Sequence, residues 1–153
     1  MATSARTFFL SGAYSSVVVS AALGVDEPDP MIAMEHQGLW GEDFVQLRPN
    51  TVFLSLGTDA IGQPVTIYVH QGAVPLDLSA ERTLTATFVS RGERIFLEYI
   101  DNMTFASEGL SFGLPAGRYR VDILSWNIEI SYDNPANELT PDNVRHELHF
   151  TLL

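Results

Sequence analysis

Residues 83–100 read TLTATFVSRGERIFLEYI, and this stretch decides the fold class. Leu84, Ala86 and Phe88 alternate with threonines, and side chains two apart along a strand lie on the same face. Residues 90–93 (SRGE) then separate this run from a second one near Ile95, at the length of a hairpin turn. The stretch therefore predicts two β-strands, each with an apolar face and a more polar one.

The same alternation recurs in both directions along the chain. Apolar residues occupy every second position in four further runs, at residues 52–56, 65–69, 119–123 and 148–152. Segments with glycine or proline at 57–62, 71–75 and 114–117 supply turns between runs. Strands at intervals of about 8–12 residues are typical of sandwiches and barrels. We predict an all-β fold, an antiparallel two-sheet β-sandwich, formed by a single domain over residues 1–153.

One irregularity follows Ile123, where the apolar positions move by one residue to Leu124 and Trp126. A shift of one residue would turn all later side chains to the other face of the strand. We therefore predict a β-bulge near Leu124 and Ser125, or a strand that passes from one sheet to the other.

Composition excludes several functional classes. The chain carries 8 arginines and no lysine against 19 carboxylates, and this net charge of −11 argues against binding nucleic acid through its phosphates. The absence of cysteine excludes a disulfide scaffold and thiol catalysis. No apolar run reaches the roughly 20 residues of a membrane helix. Serines interrupt the apolar stretch at 8–23, so we expect β-structure there, no secretory leader, and a cytoplasmic protein.

Few residues of the sequence suit catalysis. His146 and His149, three apart in a strand, are expected on opposite faces, where they could not share a metal ion. Neither a Gly-x-Ser-x-Gly turn nor a glycine-rich phosphate-binding loop occurs. A carboxylate pair for glycoside hydrolysis stays open, because sequence does not fix the separation of carboxyl groups. We expect a protein that is not an enzyme, with no catalytic residue, cofactor or metal.

Residues 25–44 (VDEPDPMIAMEHQGLWGEDF) form the most unusual stretch. Carboxylates surround methionines and a tryptophan, residue types that are enriched in the centres of interfaces, and an acidic frame steers a basic partner. We predict a partner-binding surface formed by Asp26, Glu27, Asp29, Glu35, Trp40, Glu42 and Asp43. Two alternatives stay open. Asp26, Glu27 and Asp29 could supply the oxygens of a weak calcium site. Trp40 could instead cover one end of a sandwich.

A second informative stretch, residues 110–121 (LSFGLPAGRYRV), follows the strand pair. Together with residues 83–100 it resembles the competence protein J family, small competence-associated proteins that inhibit the DNA-entry nuclease. The shared pattern is an alternating strand, a charged turn, a second alternating strand and a Leu-Ser-Phe-x-Leu-Pro-x-Gly-x-Tyr run, here Leu110 to Tyr119. The resemblance covers about a quarter of the chain and lies in scaffold residues, so it assigns no inhibitory residue.

The resemblance implies a non-catalytic binding protein that inhibits a partner nuclease, in competence or as immunity to a toxin. An acidic chain is consistent with that role, because the groove of a nuclease is basic. The expected partner is a nuclease with a basic groove, without direct contact to nucleic acid or membrane, and the sequence does not indicate whether the protein self-associates. The alternative function is a small-ligand or carbohydrate-binding β-sandwich module with Trp40 or Trp126 as its stacking platform.

Overall fold

Strands make up all the regular secondary structure that the computed structural model describes, in residues 3–9, 16–20, 44–48, 50–55, 64–92, 94–101, 104–126 and 145–153. In chain order the strands are β1 (Thr3–Phe9), β2 (Ser16–Ser20), β3 (Phe44–Arg48), β4 (Thr51–Ser55), β5 (Pro64–His70), β6 (Arg82–Ser90), β7 (Arg94–Asp101), β8 (Thr104–Gly113), β9 (Gly117–Trp126) and β10 (Arg145–Leu152). The predicted all-β fold class is confirmed. The alternating runs at 65–69, 119–123 and 148–152 lie within β5, β9 and β10.

The strands form two five-stranded sheets. The first sheet has the order β1-β5-β10-β9-β6, and the second has the order β3-β4-β2-β7-β8. The first sheet therefore ends in β1 and β6, and the second ends in β3 and β8. Because β6 and β9 belong to one sheet and β7 and β8 to the other, the chain crosses between the sheets twice within residues 82–126.

One hydrophobic core joins the two sheets. Phe150 of β10 lies near its centre, with its ring centroid 5.5 Å from that of Phe88 in the same sheet and 5.5 Å from that of Phe112 in the other. Burying a side chain of this size stabilises the fold by roughly 1.5–3 kcal/mol. The second sheet contributes Val19, Val52, Ile95, Leu97 and Phe112 to this core.

The prediction that all strands are antiparallel is wrong for one pair. β10 runs parallel to β5, with Leu148 opposite Ile67 and Phe150 opposite Val69. The other described pairs are antiparallel. A hairpin cannot join parallel strands, and four of the described strands, β6 to β9, lie between β5 and β10 along the chain. Local alternation shows that each strand exists, but it contains no information on which distant strand lies beside it.

The predicted β-bulge near Leu124 is also wrong. The register of β9 with β10 runs without a break from Tyr119 opposite Leu152 to Trp126 opposite Arg145, and its register with β6 is equally continuous. The apolar pattern shifts because the second half of β9 is buried on both faces, and Ile123 and Leu124 are each 0% exposed. A strand covered on both sides reads as a continuous apolar run.

The turn after β6 connects the two sheets and is not the hairpin that its length predicted. Ser90 fixes the turn, because its Oγ donates to the carbonyl oxygen of Leu114 at 2.8 Å and accepts the N–H of Gly92 at 3.1 Å. Gly92 has a φ of 89°, in the left-handed region that glycine adopts without steric cost. Leu114 belongs to the connection between β8 and β9, so one serine ties together the two crossings.

Candidate functional site

The predicted partner-binding residues lie outside the described residues. They are Asp26, Glu27, Asp29, Glu35, Trp40, Glu42 and Asp43, all within residues 21–43. The surface they were expected to form, and its calcium alternative, therefore stay predictions. The strands on either side are described. β2 and β3 both pair antiparallel with β4, so the chain leaves β2 at one end of the second sheet and enters β3 at the other end.

Aromatic and titratable side chains gather on the outward face of the first sheet, across β1, β5 and β10. We call Thr3, Tyr68, His70, Glu147 and His149 the histidine cluster. The ring of His149 stacks on Tyr68 with centroids 4.5 Å apart, and it lies nearly parallel to the ring of His70 with centroids 5.2 Å apart. The cluster faces outward because Ile67, Val69, Leu148 and Phe150 occupy the alternate, core-facing positions.

Hydrogen bonds join the histidine cluster into one chain. His149 Nε2 lies 2.9 Å from Glu147 Oε2, and His149 Nδ1 lies 2.9 Å from His70 Nε2. Thr3 Oγ1 lies 3.1 Å from His70 Nδ1. Because the Glu147 carboxylate can only accept, His149 Nε2–H donates to it, and with neutral rings His149 Nδ1 then accepts from His70 Nε2–H. The Thr3 hydroxyl completes the chain by donating to His70.

Both histidine rings of the cluster are almost fully buried. His70 is 4% exposed and His149 is 8% exposed. Burial, and then the charge of His149, lowers the pKa of His70 from its usual value, so that its ring is neutral at neutral pH. Burial, and then the charge of Glu147, raises the pKa of the Tyr68 hydroxyl. The cluster is a satisfied network that fastens β1, β5 and β10 to one another.

The carboxylate of Asp122, on the neighbouring strand β9, also has hydrogen-bond partners for both of its oxygens. Its Oδ2 accepts from Arg120 Nε at 2.8 Å, and its Oδ1 accepts from Thr85 Oγ1 at 3.0 Å. The residue is buried, so these two partners replace the water that the charge would otherwise need. Asp122 thus links β9 to β6 and offers no open carboxylate for acid–base chemistry.

Trp126 does not offer the stacking platform that a carbohydrate module would need. The guanidinium of Arg145 lies 4.2 Å from the centroid of its ring, and its Nε1–H donates to Ser79 Oγ at 3.2 Å. The backbone N–H of Ser79 in turn donates to Asp77 Oδ1 at 2.9 Å, and hydrogen bonding to Ser79 lowers the pKa of that carboxyl. The other predicted platform, Trp40, lies outside the described residues.

His146 and His149 lie on opposite faces of β10, as their spacing predicted. His146 is 0% exposed on the core side, and its Nδ1 lies 2.8 Å from Ser125 Oγ. Burial, together with the charge of Arg82, lowers the pKa of His146 to about 3. Within the described ranges, no three histidine, aspartate or glutamate side chains are grouped so as to hold a metal ion. The described part of the chain also contains no helix long and apolar enough to cross a bilayer.

The histidine cluster was not predicted from the sequence, although the alternation within each strand indicates part of it. Alternation places Tyr68 and His70 opposite the apolar face of one strand, and Glu147 and His149 opposite the apolar face of another. The missing part was the parallel pairing of β5 with β10, which brings His149 beside Tyr68.

Comparison with known proteins shows which fold this is. No family model and no curated protein sequence matches the chain. Two solved structures match it in fold. ComJ from Bacillus subtilis, an inhibitor of the DNA degrading activity of NucA, is 14% identical with a TM-score of 0.60, and the match covers 100% of both chains. The protein of crocagin biosynthetic gene J is 16% identical with a TM-score of 0.56, over 97% of this chain and 98% of that one.

The sequence indicated a resemblance over residues 83–121. The structural match to ComJ covers the whole chain. In those residues β6, β7, β8 and β9 form the two crossings between the sheets, and the Leu-Pro-x-Gly-x-Tyr run makes one of them. The Tyr119 hydroxyl donates to the carbonyl of Pro115 at 2.8 Å and so closes this connection. The resemblance to the competence nuclease inhibitors is therefore confirmed at the level of the fold.

Proposed function

We propose that this chain is a non-catalytic inhibitor of a nuclease. The observation that carries the proposal is the fold shared with ComJ over the full length of both chains, because ComJ inhibits the DNA degrading activity of NucA. On this proposal the chain acts by occupying the nuclease and performs no chemistry of its own.

The charge of the chain supports this function. A net charge of −11 on 153 residues attracts a protein whose groove is basic because it must hold phosphates. Such attraction raises the association rate and disfavours partners of the same sign. The same charge repels nucleic acid, so the target is the enzyme and not its substrate.

The residues that we assign to the contact are those of the acidic stretch between β2 and β3. Its carboxylates would lie against the basic groove, and Trp40 would be the apolar anchor of the interface. The carboxylates are Asp26, Glu27, Asp29, Glu35, Glu42 and Asp43. The two-sheet core fixes the strands β2 and β3 on either side of this stretch, and such a rigid frame lowers the entropy lost on binding.

The described titratable groups favour binding over catalysis. The two rings of the histidine cluster are enclosed, and the carboxylate of Asp122 is occupied by Arg120 and Thr85. The carbohydrate-binding alternative loses the support of Trp126, since Arg145 covers its ring. We place the protein in the cytoplasm, together with the nuclease it restrains.

Capture and inhibition test the proposal together. The chain is immobilised, proteins of its native cell are passed over it at low salt, and the captured fraction is assayed for DNA degradation after the complex is separated. We expect a nuclease in that fraction, and we expect the purified nuclease to lose activity as the chain is added back towards equimolar amounts. A purified nuclease that retains full activity in excess inhibitor would overturn the proposal.

A further inference from the structure

An open crevice lies where the two sheets meet at the edge formed by β1 and β8. It consists of two adjoining cavities, of about 330 Å³ and 290 Å³, which share Ser4, Val69 and Gly113 in their walls. We call this pair of cavities the edge crevice. Each cavity is close to the lower end of the range of about 300–1,000 Å³ that is usual for sites binding small molecules.

Small residues at both sheet edges explain why the crevice is open. Ser4, Arg6 and Phe8 lie two apart on β1 and share the face that points between the sheets. At the Phe8 end of β1, the ring of Phe8 fills the gap between the sheets, and its centroid lies 6.4 Å from that of Phe112. Ser4 and Gly113 are too small to fill it at the other end.

Two arginines converge on one neutral residue at the edge crevice. Arg6 Nη1 donates to the carbonyl oxygen of Ser111 at 3.0 Å, and Arg94 Nη2 donates to the same oxygen at 3.2 Å. Arg94 Nε also donates to Ser111 Oγ at 3.0 Å, and the guanidinium of Arg6 lies 4.7 Å from the centroid of the Phe8 ring. The two Nη atoms are therefore at most about 6 Å apart.

This pair of cations has no carboxylate partner among the described residues. The carboxylate of Asp122 pairs with Arg120, and that of Glu147 accepts a hydrogen bond from His149. A guanidinium has five N–H donors, and the hydrogen bonds given above use one donor of Arg6 and two of Arg94. In a chain with 19 carboxylates, two like charges held side by side on a carbonyl form a site for an anion, which would relieve their repulsion.

Apolar side chains make up most of the rest of the wall beside the arginines, whereas the adjoining cavity also has the polar residues Thr3, His70 and Gln71 in its wall. Ile67, Val69 and Phe112 line the part beside the arginines, and Tyr119 and Leu152 line the adjoining part. A ligand that fits both features carries a carboxylate at one end and an apolar body behind it. Guanidinium groups recognise carboxylates through paired hydrogen bonds, which adds geometric selectivity to charge.

We propose that the edge crevice binds a small amphipathic carboxylate, held by Arg6 and Arg94 with its apolar part against Ile67, Val69 and Phe112. This site is independent of the acidic stretch assigned to the nuclease. Two sources share the chemistry, a free fatty acid and the carboxyl-terminal end of an apolar peptide.

Titration of the full-length protein tests the site directly. The probes are octanoate, octanol, acetate, and a Leu-Leu dipeptide as its free acid and as its amide. Methyl resonances of Ile67 and Val69 report occupancy by NMR, and calorimetry gives affinities. We expect octanoate or the dipeptide acid to shift both residues and to bind at least tenfold more tightly than octanol, acetate or the dipeptide amide. The tighter of the two acids identifies the source.

Three variants separate recognition from general charge. Arg6→Gln with Arg94→Gln should weaken binding of the acid at least tenfold, whereas Arg91→Gln, which removes a charge elsewhere, should leave the affinity unchanged. Ser4→Phe, at an exposed position of the edge strand, should fill the crevice and abolish binding while thermal unfolding stays cooperative. Equal affinity for octanoate and octanol, unchanged affinity in the double arginine variant, or no shift at Ile67 and Val69 would each overturn the proposal.

Discussion

The rings of His70 and His149 are hydrogen-bonded across the parallel strands β5 and β10, with Nε2 of His70 2.9 Å from Nδ1 of His149 and the ring planes 13° apart. This contact is the centre of a hydrogen-bond chain that runs from Thr3 to Glu147 and spans three strands. It joins segments that are 79 residues apart in the sequence. The parallel pair β5 and β10 is therefore held on its outward face by these hydrogen bonds and on its core face by Leu148 and Phe150.

Replacing His149 with phenylalanine tests that structural role. His149→Phe keeps an aromatic ring in the stack but leaves His70 Nε2 and Glu147 without their partner, so it should lower the free energy of unfolding by about 1–3 kcal/mol. Urea denaturation measures the change. Thr7→Val is the matched control, because its hydrogen bond to Thr66 on the same face is exposed and should contribute within about 0.5 kcal/mol. Equal losses in the two variants would contradict a buried, cooperative network.

His146 should make the stability of the protein depend on pH. Its pKa is about 3 in the folded state, below the usual 6.5 of an exposed ring. Between these values the unfolded chain binds a proton that the folded chain does not, so the protein loses stability as pH falls below about 6.5. The loss due to this ring approaches about 1.4 kcal/mol per pH unit. His70 shifts in the same direction and adds to it.

The variant His146→Gln isolates this contribution. Urea denaturation between pH 6.5 and 5, where most carboxylates remain ionised, should give a clearly smaller slope of unfolding free energy against pH than the unmodified chain. A slope that does not change would show that the ring is protonated inside the fold.

A side chain at Gly117 should destabilise the fold, in contrast to one at Gly113. Gly117 has a φ of 156°, a backbone conformation that residues with a side chain rarely adopt, and a Cβ there would also displace the terminal methyl Cδ1 of the flexible, partly exposed Leu152. Gly117→Ala should therefore cost about 1–3 kcal/mol, which denaturant unfolding would detect. At Gly113 a Cβ would meet nothing within 4 Å, so Gly113→Ala is the control and should be close to neutral. If both substitutions were neutral, the conformation of the connection after β8 would not depend on glycine.

Ser90 should stabilise both crossings between the sheets. Ser90→Ala leaves the buried carbonyl of Leu114 and the N–H of Gly92 without the hydroxyl that now serves them, at a cost of about 1–3 kcal/mol. Amide hydrogen exchange at Gly92 should accelerate in the variant, whereas Ser4→Ala on the exposed edge should leave it unchanged. Exchange at the rate of the unmodified chain would show that the hydroxyl does not hold the turn.

The sequence predicted the strands well because alternation is a local property. The runs around Ile67, Val121 and Phe150 each became a strand with those residues in the core. The errors arose where a property depends on distant residues. The apolar residue Leu124 suggested a change of register, but the strand around it is buried on both faces. The turn at Ser90 has the length of a hairpin turn, but it leads to the other sheet.

The same distinction between local and long-range properties applies to the candidate sites. The separation of His146 and His149 onto two faces followed from spacing alone, and it is confirmed. The histidine cluster and the edge crevice depend on which strands are neighbours, so Arg6 and Ser111, 105 residues apart, could not be associated from the sequence. The acidic surface at residues 21–43 lies outside the described residues and stays a prediction.

On the proposed function, the carboxylates of the acidic stretch steer this chain onto a basic nuclease. The test variant replaces Asp26, Glu27, Asp29, Glu42 and Asp43 with the corresponding amides. The control variant makes the same replacement at five carboxylates elsewhere, namely Asp101, Glu129, Asp133, Glu138 and Asp142. Both variants lose the same net charge, so a difference between them reports position and not total charge. Unfolding curves confirm that each variant remains folded.

The most direct measurement is the association rate of each variant with the captured nuclease, followed by stopped-flow across a salt series. We predict that the rate of the unmodified chain falls steeply as salt rises, since screening shortens the range of the attraction. We also predict that the test variant loses at least tenfold in rate at low salt and that the control variant loses much less. Equal rates for the two variants, or a rate of the unmodified chain that does not respond to salt, would contradict the account.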